Sequence, residues 1–197
     1  MRTIRIALWA VVALVAVGVG ALAFNATRGP QTVAGVADIG GPFTLTDQHG
    51  GTVTRDDLIG HPHAVFFGYT FCPDVCPTTL WELSQYMAAL GEDADDLKVV
   101  FVSVDPERDT PEALDAYISA FDDRIIGLTG SREAIDETVR AYRAYYKIHP
   151  EDEQGDVLID HTATTYLFDR DGTFAGTIAY QESADTAKAK LQRLVSA

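Results

Sequence analysis

Cysteine is scarce in this 197-residue chain, with only Cys72 and Cys76. A small exported domain held by several disulfide staples is thereby excluded, and the close pair becomes the feature to explain. Basic residues are also few, 15 Lys and Arg against 29 Asp and Glu. Setting aside Arg2, Arg5, Arg28 and Asp38 leaves 12 basic and 28 acidic residues from Ile39 onward, a net charge of −16. Phosphate binding needs a basic footprint, so nucleic acid is excluded as a partner. No internal repeat or low-complexity tract occurs, and the one long uncharged apolar run covers residues 6–24.

That run follows Arg2 and Arg5. At about 1.5 Å per residue it approaches the roughly 20 residues that cross a bilayer core, and its basic flank should stay cytoplasmic. Ala21-Leu22-Ala23 has the small residues of a signal-peptidase site. A cleavable apolar region is usually about 7 to 15 residues, so an uncleaved single-pass anchor is the preferred expectation. Residues 1–25 are thus expected to be a membrane anchor or signal segment. Residues 26–38, small and polar with Gly29-Pro30, read as a flexible linker, and residues 39–197 as one folded domain. The anchor begins near Met1 and no Arg- and Ser-rich transit segment precedes it. The expected setting is therefore a bacterial inner membrane with the domain facing the periplasm.

Within the domain, residues 43–46, a His49-Gly50-Gly51 turn and residues 52–54 predict a β-hairpin at one edge of a sheet. The apolar run 63–67, bounded by Pro62 and Gly68, predicts a strand buried on both faces. Helical spacing of Leu80, Leu83, Tyr86, Met87 and Leu90 predicts a helix over 79–90. A second buried strand at 99–104 is followed by a helix over 110–121, with Asp109 and Glu112 as its capping box. A third strand spans 125–128, and a helix over 131–146 places Ile135, Val139, Tyr142 and Tyr146 along one side as core. Residues 147–156 are polar and acidic, with Pro150 and Gly155, and predict an exposed loop ending near His161. A second hairpin over 164–180, turning at residues 169–172, and a helix over 183–195 close the chain. Strands alternating with helices imply an α/β layer structure with antiparallel strands added at one side.

Cys72 and Cys76 lie between the first buried strand and the helix that follows it. Backbone N–H groups and the dipole at a helix mouth favour thiolate, the form that attacks disulfides or ligates metals. Four residues apart, the two sulfurs can bridge to each other or chelate one ion. Two thiolates and an imidazole suit copper, whereas structural zinc normally takes four protein ligands. His161 is the expected third donor, because its strand should lie beside the first one. Asp160 is a candidate to orient it, although a plain surface carboxylate is the preferred reading. His49, His61, His63 and His149 compete as ligands. His61-Pro62-His63 has chelating spacing, but a solvated loop and strand entry is the preferred reading.

The segment Gly68-Tyr69-Thr70-Phe71-Cys72-Pro73-Asp74-Val75-Cys76-Pro77-Thr78-Thr79-Leu80 resembles the signature of the Sco/SenC (PrrC-like) copper-protein family. Val104-Asp105-Pro106-Glu107-Arg108-Asp109-Thr110, Gly127-Leu128-Thr129-Gly130 and Asp160-His161-Thr162 resemble further blocks of that family in the same order. The resemblance covers about residues 40–180. It implies a thioredoxin-like fold carrying the N-terminal β-hairpin, here preceded by one transmembrane helix. It also implies one copper ion, Cu(I) or Cu(II), held by Cys72, Cys76 and His161. The implied role is metallochaperone in building the copper centre of cytochrome c oxidase, gated by the redox state of Cys72 and Cys76. Implied partners are the oxidase's copper-bearing subunit and a copper donor or thiol reductant protein. The acidic loop at 147–156 departs from the family pattern.

The nearest rival is a thiol-disulfide oxidoreductase that reduces the oxidase subunit's cysteines without delivering copper. No other turnover chemistry is expected. Thioredoxin-like oxidoreductases space their cysteines one residue closer and set a cis-proline before a strand. Ala163 occupies that place here, and no proline follows His161. Cys76-Pro77-Thr78 is similar to a peroxiredoxin block, but Pro73 stands where that chemistry needs threonine.

Overall fold

The computed structural model describes residues 39–197 and the single position 9. In chain order the elements are β1 (Thr44–Asp47), β2 (Thr52–Thr54), β3 (His63–Gly68), α1 (Val75–Leu90), β4 (Lys98–Ser103), α2 (Pro111–Ile118) and β5 (Ile125–Thr129). They continue with α3 (Arg132–Ala141), β6 (Tyr146–Ile148), β7 (Ile159–His161), β8 (Thr165–Phe168), β9 (Phe174–Ile178) and α4 (Ala184–Val195). One seven-stranded sheet has the order β2-β1-β5-β4-β3-β8-β9, and β6 with β7 forms a separate two-stranded ribbon. The strands β3, β4 and β5 run parallel, while β8 and β9 are antiparallel additions on one side and the β1-β2 hairpin is one on the other. This mixed α/β sheet has the thioredoxin-like layout, with the hairpin capping an edge as expected.

The centre of the sheet follows from apolar continuity. Every residue of β3 is buried, because helices cover both faces of a parallel core. Side chains on a strand alternate between faces, so Phe66 and Phe67 go opposite ways. Phe67 packs edge-on against Tyr142 and Tyr166, in an aromatic cluster that continues to Phe168 and Phe174. Phe66 packs against Phe101 on the other face. Burying each such ring contributes roughly 1.5–3 kcal/mol.

Several boundaries differ from expectation for local reasons. Helix α1 begins at Val75, so Cys76 lies in its first turn together with Pro77, which needs no N–H there. The cap of α2 is Thr110, whose hydroxyl accepts from Ala113 N. Asp109 is not the cap; it is fully buried and accepts from Thr70 N, Thr70 Oγ1 and Ser103 Oγ. Helix α3 stops at Ala141, five residues early, and Arg143 takes the left-handed conformation at φ 52°. Tyr146 therefore belongs to β6, while Tyr142 remains in the core.

The 147–156 segment is likewise not all loop, because its start pairs with β7 in the register Tyr146↔His161 and Ile148↔Ile159. Apart from position 9, the expected anchor and linker lie outside the described residues. Among the described residues no helix is long and apolar enough to cross a membrane.

Candidate metal centre

The alternation of β3 builds the floor of the site. Phe66 and Gly68 share a face, and over that face stand the ring of His161 and the sulfur of Cys76. A Cβ on Gly68 would lie 2.5 Å from Cys76 Sγ and 2.7 Å from the Phe101 ring, so glycine is required by close approach. The chain then turns through Tyr69 and Thr70, with Cys72 N donating to Tyr69 O. Asp109 gathers Thr70 from below, at 3.0 Å from its N and 2.6 Å from its Oγ1, and fixes this turn to the end of β4.

Three donors meet above this floor. The sulfurs of Cys72 and Cys76 and a ring nitrogen of His161 all lie within 4.8 Å of one another. His161 Nε2 stands 3.7 Å from Cys72 Sγ and 3.3 Å from Cys76 Sγ. Its Nδ1 faces the Thr162 carbonyl at 3.2 Å. A carbonyl only accepts, so Nδ1 carries the proton and Nε2 turns its lone pair to the sulfurs. The imidazole is wedged edge-on between Phe66 and Tyr69, at centroid distances of 5.9 and 5.8 Å.

The two thiols are chemically unequal, and both are free. A hydrogen bond from Cys76 holds the Cys72 thiol down at about 4, aided by the main-chain N–H groups of Asp74 and Cys76, against the opposing effect of burial. Cys76 N, in the first turn of α1, reaches Cys72 Sγ at 3.4 Å. Cys76 is completely buried; that desolvation, together with the neighbouring Cys72, pushes its thiol far up. The resting pair is thus one thiolate and one thiol.

The other sequence candidates do not join the cluster. Asp160 is adjacent to His161 on a strand and so faces away; its Oδ2 meets His149 Nε2 at 2.7 Å. The orienting partner of His161 is the Thr162 carbonyl instead. His61 pairs with Asp96, and His63 is buried, stacked on Phe168 with Nδ1 on the His61 carbonyl. His49 lies 3.8 Å from Asp115. Sequence reasoning did not reach Phe66, Gly68, Tyr69, Asp109 or Thr162 as supports of the site. The parity of residues 66 and 68 relative to the strand end was the available signal for the first two.

Fold and cluster together define a class: a thioredoxin-like protein that presents two thiols and one imidazole at the mouth of its first long helix. Residues 31–196 match the SCO1/SenC family, and the chain belongs to that family. SenC of Rhodobacter capsulatus is 46% identical over 133 residues, 68% of this chain and 60% of the relative. The human mitochondrial protein SCO1 homolog is 44% identical over 138 residues, 69% of this chain and 46% of the relative. The chain therefore spans roughly half the length of these curated relatives. Among solved structures, Bradyrhizobium japonicum ScoI with copper bound is 48% identical, covers 79% of this chain and 99% of its own, and has a TM-score of 0.74. Yeast Sco1 with copper bound is 33% identical, with 81% and 90% covered and a TM-score of 0.75.

Proposed function

We propose that this chain is a copper metallochaperone that carries one copper ion on Cys72, Cys76 and His161 and delivers it during assembly of the cytochrome c oxidase copper centre. The observation that carries this reading is the convergence of the three donors within 4.8 Å. A metal bound at about 2.0–2.3 Å from sulfur and nitrogen fits between atoms so spaced. The donor set is soft and three-membered, which selects copper over zinc. Relatives solved with copper bound support the same choice. In this reading residues 1–25 anchor the chain in a bacterial inner membrane. The linker 26–38 then lets the domain reach the copper-bearing oxidase subunit on the periplasmic side. The copper donor is a second partner.

The residues divide the work. Thr162 holds the His161 tautomer, Asp109 and Gly68 hold the cysteine turn, and burial keeps water from the sulfurs. Cys72 is ready to bind as thiolate, while Cys76 must give up its proton. Copper titration of the reduced full chain tests the site. One ion per chain is expected, with binding abolished when Cys72, Cys76 and His161 are all replaced. Undiminished tight binding by that variant would remove the site.

A second reading is favoured by the inequality of the thiols: reduction of the oxidase subunit's own cysteines. Cys72 attacks a disulfide sulfur of the partner, forming a mixed disulfide, and Cys76 then attacks Cys72 sulfur. The partner leaves as a dithiol, while Cys72 and Cys76 are oxidised to a disulfide that an external thiol reductant must reduce. Complementation with His161→Ala separates the roles. Loss of oxidase assembly is expected for copper delivery, and full assembly would favour thiol chemistry.

A further inference from the structure

The cysteine turn and the histidine ribbon belong to different parts of the chain, yet one side chain touches both. The guanidinium of Arg108 lies over the ring of Phe71, 4.7 Å from its centroid, and 5.8 Å from that of Tyr69. Its Nε pairs with buried Asp105, and its Nη2 donates to the Val157 carbonyl at 3.0 Å. Val157 lies two residues before β7, the strand that ends in His161. Phe71 precedes Cys72 and is 59% exposed, so the core does not hold its ring. The guanidinium covers that ring on one side.

A guanidinium suits this position because its flat face stacks on a ring while its in-plane fork serves a carboxylate and a carbonyl together. A lysine ammonium is a point charge on a flexible stem and cannot make that set of contacts at once. We propose that Arg108 is a positioning residue that holds the His161 ribbon against the Cys72 turn and so sets the spacing of imidazole and sulfurs. The ribbon has a second attachment, Ile159 N donating to Tyr69 Oη at 3.2 Å, so loss of Arg108 shifts the ribbon without freeing it. The copper part of the test rests on the metal-binding reading; the first part does not.

The reduced, metal-free full chain is compared with Arg108→Gln and Arg108→Lys by the proton resonances of the His161 ring. Those protons sit against Phe66 and Tyr69 and feel their ring currents. Both substitutions should move these resonances toward free imidazole. Copper(I) affinity is then measured by chelator competition with and without His161→Ala. Arg108→Gln should weaken binding about tenfold when His161 is present and less than about twofold when it is absent, because the two changes remove one shared interaction. Unmoved His161 resonances, or an equal loss of affinity in both backgrounds, would overturn the proposal. If Arg108→Gln does not fold, Arg108→Lys carries the same readouts. A wild-type chain that binds no copper defeats the metal reading, and the resonances still decide the role of Arg108.

Discussion

At the scale of single residues, the consequence of unequal thiols is a proton count. Near neutral pH Cys72 is already a thiolate, being held down at about 4, and Cys76 keeps its proton because burial and Cys72 push its thiol up. Loading copper onto both sulfurs should expel about one proton per ion near pH 7, the one that Cys76 keeps. Apparent affinity should rise about tenfold per pH unit between roughly pH 7 and 8. Titration calorimetry in buffers of different ionisation heat measures this directly; no proton release at pH 7 would contradict the assignment. The same depression bears on the metal-free fold. Its stabilising effect is complete above the thiol value of an unfolded chain, about 8.5, and is lost as pH falls through about 4. The three donors were legible in the sequence because their side chains carry the chemistry. For Asp160 the surface-carboxylate reading holds and the orienting role does not, since adjacency in a strand places neighbours on opposite faces; Asp109 was misread because a carboxylate near a helix start looks like a cap until its buried partners are seen.

At the scale of elements, the register of β3 sets the height of the site. Gly68→Ala would drive a methyl into Cys76 Sγ and Phe101, forcing the start of α1 outward. A stability loss of about 1–3 kcal/mol in thermal or denaturant unfolding is expected, together with weaker copper binding. Wild-type affinity in a destabilised Gly68→Ala chain would show that α1 and the metal ligands are not rigidly joined. The order of strands and helices was legible from apolar periodicity. The β6-β7 ribbon was not, since three-residue strands flanking a polar, acidic turn carry too few apolar residues to show alternation. That ribbon fixes the histidine by main-chain pairing, with Thr162 N also donating to Tyr145 O at 2.9 Å. The start of α1 was placed late because helically spaced apolar residues begin only at Leu80, whereas the helix opens at Val75 with Pro77 tolerated in its first turn.

At the scale of the molecule, the charge of −16 from Ile39 onward acts on encounters more than on the fold. If the recipient subunit presents basic residues around its copper site, association should slow about tenfold or more from 20 to 300 mM salt, measured by stopped-flow mixing. An association rate indifferent to salt would assign recognition to apolar contacts instead. The donors themselves are spread widely: His161 lies 85 positions beyond Cys76 and 89 beyond Cys72. In an unfolded chain the two sulfurs remain neighbours, whereas the imidazole is a remote stranger to them. The ion's full set of holders thus comes into being only when the strands close, so the metal works as a clasp on the finished domain. A loaded chain should resist denaturant more than an empty one, and should surrender its third bond at the same moment as its tertiary structure.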